Sequence, residues 1–136
     1  MSTIVDATII RGFGAATKNM RNQLSHLVRQ FPDIKNVHPG SINVELIKPL
    51  YGLKYDYVTS PPIRWWDVGP DRWQTETFGF LEIKFEYPVG NNALYRAWLF
   101  DCHNSDYHNN PLRFEIISEK IDGIVYNQSC RMHLPS

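Results

Sequence analysis

Cysteine is scarce in this chain: its 136 residues include Cys102 and Cys130 and no others. Two cysteines are too few to form a disulfide framework. Neither sign of charge is in excess, because 14 Lys plus Arg balance 14 Asp plus Glu. A general nucleic-acid binder needs a basic face to neutralise phosphates, so a nucleic-acid partner is not expected. A small phosphorylated ligand needs only a local pocket and stays admissible. Long apolar runs are missing as well, and nothing approaches the roughly 20 residues of a membrane span. The chain does not open on a basic segment followed by an apolar run, as a secretory signal would. The expectation is a cytoplasmic protein without a membrane partner. Also absent are a Gly-x-x-x-x-Gly-Lys-Ser/Thr loop, a His-Arg-Asp motif and a Gly-x-Ser-x-Gly elbow. No alternation of strand and helix argues for a Rossmann or P-loop architecture.

What is present favours strands. Thr3 to Ile10 alternates and is rich in β-branched residues, and further strands are expected over Ser41–Ile47, Tyr55–Thr59, Thr77–Tyr87, Leu94–Asp101, Arg113–Ser118 and Ile124–Cys130. Turn signals separate them at Pro49, Ser60-Pro61-Pro62, Gly69-Pro70, Pro88 to Asn92 and Asn109-Asn110-Pro111. One segment has a different period. Met20, Leu24, Leu27, Val28 and Phe31 form a single stripe at helical spacing between Thr17 and Phe31, and Pro32 stops it. Six or seven short strands and one main helix predict a mainly β protein, a small β-barrel formed by one domain over residues 1–136. Four Trp, seven Tyr and seven Phe provide flat surface for core packing or for stacking a planar ligand.

The chemistry-bearing residues fall into two groups. Gly12 and Gly14 follow the first strand, where they make either a turn or a loop whose amides approach a phosphate. Pro39-Gly40 then delivers the chain into Ser41-Ile42-Asn43. Ser41 and Asn43 are two apart, so an extended strand projects them from one face. Their hydroxyl and amide oxygens suit a hard cation such as Mg²⁺, which also recruits phosphates. The second group runs from Asp106-Tyr107-His108 to Glu115. Tyr107 is a stacking group, His108 a titratable ring, and Glu115 either a solvated strand residue or a base towards an alcohol nucleophile. Zinc competes for the same region: Cys102 with His108, and Cys130 with His133, would make a Cys₂His₂ site if the two pairs converged. Trp65-Trp66-Asp67 and Trp73 would serve either as buried anchors or as a platform for a sugar or base.

Taken in order, Gly12-Phe13-Gly14-Ala15-Ala16, a helix, Pro39-Gly40-Ser41-Ile42-Asn43-Val44-Glu45-Leu46, and then Tyr107-His108 followed by Glu115-Ile116-Ile117-Ser118 resemble the archaeal CTP-dependent riboflavin kinases. That family carries a Gly-x-Gly-x-Gly loop, a Gly-Thr-Leu-Asn strand, a Thr-Tyr-His segment and a Glu-Ile-Ile-Ala strand. The resemblance implies a cradle-loop barrel that phosphorylates riboflavin to FMN, with CTP as phosphoryl donor and Mg²⁺ as cofactor. It also implies roles. Gly12, Phe13, Gly14, Ala15, Ala16 and the following Thr17 would hold the nucleotide, with Ala16 in place of the third loop glycine. Ser41 and Asn43 would hold Mg²⁺. Asp106, where the family has Thr, would contact the flavin with Tyr107, His108 and Glu115, and Glu115 would be the catalytic carboxylate. A non-catalytic nucleotide- or flavin-binding module on the same fold, and a carbohydrate-binding barrel, are the alternatives.

Overall fold

The computed structural model describes residues 3–11, 24–64, 75–103 and 108–135. Nine strands follow in chain order: β1 (Thr3–Ile10), β2 (Ile42–Leu46), β3 (Tyr57–Val58), β4 (Ile63–Arg64), β5 (Thr75–Glu76), β6 (Phe78–Glu86), β7 (Leu94–Cys102), β8 (Arg113–Ser118) and β9 (Ser129–Leu134). The sheet runs β6-β7-β8-β2-β1-β9, and β9 returns to β6 through Lys84↔His133, Phe85↔Met132 and Glu86↔Arg131. This closes a six-stranded antiparallel β-barrel. Closure removes the open sheet edges that invite aggregation. At the seam His133 Nε2 lies 2.7 Å from Glu86 Oε1, which ties β9 to β6 beside the backbone ladder. β3 adds a seventh strand on the same edge of β6, at Gly79 and Phe80, while β4 and β5 pair separately.

Two apolar cores flank the sheet. Inside the barrel, Ile9, Val44, Ile83, Phe85, Leu99 and Ile116 are almost fully buried, as the period-two alternation of their strands requires. The second core lies outside, over the first half of β6. There Phe78 and Phe80 share a face with Glu82 and Lys84, so one strand face is apolar at one end and polar at the other. The helix covers the apolar end. Its described residues, 24–30, and a 3₁₀ turn at Pro32–Ile34 set Leu24, Leu27, Val28, Phe31 and Ile34 against Phe78, Phe80, Trp98, Phe100 and Ile117. Leu27 and Ile34 have 0% exposure, and Phe31 stacks on Tyr57 and Phe80 with ring centroids 5.4 and 5.2 Å away. Gln30 fastens the helix end to the chain after β3. Its Oε1 accepts from the Tyr57 hydroxyl at 2.6 Å and from the Ser60 amide at 2.8 Å. The earlier part of the expected helix, including Met20, lies outside the described residues.

The last strand departs from expectation. The apolar run beginning at Ile124 is not paired; the strand starts at Ser129 and continues to Leu134. Gly123 and Asn127 adopt φ of +77° and +67°, left-handed conformations that break an extended chain. Val125 and Tyr126 are accordingly exposed, whereas Cys130, Met132 and Leu134 alternate into the core. No helix among the described residues is long and apolar enough to cross a membrane.

Candidate functional site

The end of β7 and the start of β8 frame a cleft of about 490 Å³, walled by the 50–55 segment and by residues 108–111. Asp101, largely buried, is its electrostatic hub. His108 Nδ1 sits 3.0 Å from both oxygens of the Asp101 carboxylate, and His103 Nε2 approaches Oδ2 at 3.4 Å. The carboxylate accepts from Nδ1 in the tautomer that carries its proton there, and in the other tautomer Nδ1 offers its lone pair. The two imidazoles lie side by side, with centroids 4.5 Å apart. The Tyr55 hydroxyl also donates to Asp101; burial first, and then the Asp101 charge and this bond, push the Tyr55 phenol up to about 12.

Glu115 lines the same cleft from β8. Burial, reinforced by the charge of Asp101, raises its carboxyl from the ordinary 4.5 to about 7. A carboxylate held near neutrality exchanges protons readily at physiological pH. Its strand neighbours fix its place: Glu115 lies opposite Phe100 of β7 and opposite Asn43 of β2. Directly paired residues of antiparallel strands project to the same side, so the buried Asn43 and the cleft carboxylate are lateral neighbours although 72 positions separate them in sequence.

The remaining expected site residues divide between placed and undescribed. Ser41 immediately precedes β2; its Oγ is buried and has no hydrogen-bond partner among the described residues. A smaller cavity of about 210 Å³, lined by His38, Gly40, Ser118 and Glu119 among others, adjoins it. An orphaned hydroxyl followed two residues later by a buried amide offers oxygen donors of the kind Mg²⁺ takes, so these two residues fit that ion. Gly12, Phe13, Gly14, Ala15, Ala16 and Thr17 lie outside the described residues, as do Asp106, Tyr107, Trp65, Trp66 and Trp73. The proposed zinc pairing does not assemble on these strands. Cys130 and His133 are three apart on β9 and therefore face opposite ways, Cys130 into the barrel core and His133 onto Glu86. Burial pushes the Cys130 thiol up to about 12.

Asp101, His103 and Tyr55 were not among the residues the sequence singled out. One signal was available: Asp-x-His at positions 101–103 and His108 shortly after form a compact Asp/His/His set. Tyr55 carries no comparable local signal, because its role depends on packing against a strand 24 residues later. No protein-family model matches this chain, and no curated protein matches it.

Proposed function

We propose that this protein is a small-molecule phosphotransferase that transfers the terminal phosphoryl group of CTP to riboflavin, or to a closely related alcohol. The observation that carries the reading is the cross-strand pairing of Asn43 with Glu115 beside the cleft. Two motifs that resemble the riboflavin kinases meet there, one read as metal-holding and the other as acceptor-facing. The cleft is within the roughly 300–1,000 Å³ range of small-ligand sites, and Tyr55, Leu53 and Phe114 give it apolar surface for a planar ring.

In this account the acceptor hydroxyl lies near Glu115. Its oxygen attacks the terminal phosphorus, the bond to the bridging oxygen breaks, and CDP leaves; the hydroxyl proton passes to the Glu115 carboxylate. Phosphoryl transfer needs little covalent assistance from protein, so alignment of donor and acceptor is the larger contribution. Ser41 and Asn43 would hold Mg²⁺, which supplies neutralisation of phosphate charge when bound. The absence of a Walker loop or a kinase Asp motif is compatible with such a positioning mechanism.

Titration calorimetry of Mg²⁺-CTP tests the metal-holding half of the site. Asn43→Ala should weaken binding several-fold, because a shaped site does not easily replace a lost oxygen ligand with water. Equal affinity in the variant and the wild type would remove Asn43 from the site.

A further inference from the structure

We propose that Asp101, His103 and His108 form a second metal site, for a borderline divalent ion such as Zn²⁺, at the mouth of the cleft. One ligand atom from each residue lies within 4.8 Å of the others. The closest approaches, 3.0 Å for His108 to Asp101 and 3.4 Å for His103 to Asp101, are near the ligand–ligand separations of roughly 3–4 Å that bonds of about 2.0–2.1 Å produce. The third edge is no longer than 4.8 Å.

The strand explains the convergence. Asp101 is the penultimate residue of β7 and His103 follows the strand directly, close enough for Nε2 to reach the carboxylate at 3.4 Å. His108 meets them there, and its ring packs against that of His103. One carboxylate thus faces two imidazoles. One divalent ion would engage all three groups at once.

The donor set selects the ion. Two nitrogens and one carboxylate oxygen suit Zn²⁺ and neighbouring transition metals, while Mg²⁺ and Ca²⁺ prefer sites made wholly of oxygen. This separates the site chemically from the Ser41–Asn43 pair. Three protein ligands also leave a coordination position for water or for an anionic oxygen of a molecule in the cleft, the pattern of catalytic rather than structural zinc. An outer shell is already in place. The Tyr55 hydroxyl donates to Asp101, the kind of bond that orients a ligating carboxylate.

Metal titration tests this without reference to turnover. Chelator-stripped protein is titrated with Zn²⁺ alone by calorimetry, and Co²⁺ is added separately as a visible-absorption probe of coordination. The expected result is one tight Zn²⁺ per chain, strong visible bands from low-coordinate Co²⁺, and no displacement of Zn²⁺ by equimolar Mg²⁺. His103→Ala should weaken Zn²⁺ by at least about tenfold with an unchanged circular-dichroism spectrum, and His133→Ala should leave affinity as in wild type. Because Asp101 is largely buried, the partly exposed His103 and His108 serve as the principal variants. Failure of the wild type to bind Zn²⁺, or binding undiminished in the His103→Ala/His108→Ala double variant, would overturn the proposal.

Discussion

The ring of Tyr55 lies flat against Gly79, so that a Cβ added to the glycine would stand 3.0 Å from Tyr55 Cγ and 3.1 and 3.2 Å from Cδ1 and Cδ2. β6 gives up a side chain at this position, and Tyr55 takes the space and reaches Asp101 with its hydroxyl. Gly79→Ala must push the ring outward. Overpacking of this kind costs about 1–3 kcal/mol, offset by the roughly 0.5–1 kcal/mol that a strand glycine loses in chain entropy. The net expectation is a loss of about 1 kcal/mol in urea unfolding, together with a lowered Tyr55 phenol pKa. A variant with an unaltered phenol titration would show that the contact does not position the ring.

Leu27 tests the outer core. It is fully buried between the helix and the apolar end of β6, and Leu27→Ala should cost on the order of 2–5 kcal/mol. The melting temperature should fall by roughly 5 °C or more. A value within a degree of wild type would mean that the helix is not part of the cooperative fold.

Glu115 gives a signature in pH. Its carboxyl is raised from 4.5 to about 7, first by burial and then by the Asp101 charge, so the folded chain binds this proton more tightly than the unfolded chain does. The stability it contributes is complete below about pH 4.5 and is lost as pH rises through about 7. In chelator-treated protein the urea midpoint should decline across that window, and Glu115→Gln should flatten the decline. The same slope in both proteins would assign the pH dependence to other groups.

The barrel was legible in the sequence because most of its strands carry clear period-two patterns between strong turn signals. β1 and β8 begin and end at the expected residues, and Leu24, Leu27, Val28 and Phe31 pack as their helical spacing predicts. β9 was displaced because Ile124 and Val125 look strand-like locally, whereas the left-handed Gly123 and Asn127 decide the backbone. The two-residue strands β4 and β5 are too short for any periodicity. Within the site, Asn43 and Glu115 were each identifiable by type, but their adjacency depends on β2 pairing with β8, a contact made across about half of the chain. Asp101 escaped notice for a related reason: at the end of a strand it has an ordinary polar appearance until folding gathers His103, His108 and Tyr55 around it.

The most direct measurement is the formation of FMN. Purified protein incubated with riboflavin and Mg²⁺, with CTP or ATP supplied separately, should yield FMN and CDP when CTP is the donor. Glu115→Gln should lower kcat by roughly 10²–10⁴ with the KM for CTP nearly unchanged, the effect of removing a positioned proton acceptor. No FMN with either nucleotide, or a Glu115→Gln protein as fast as the wild type, would contradict the account.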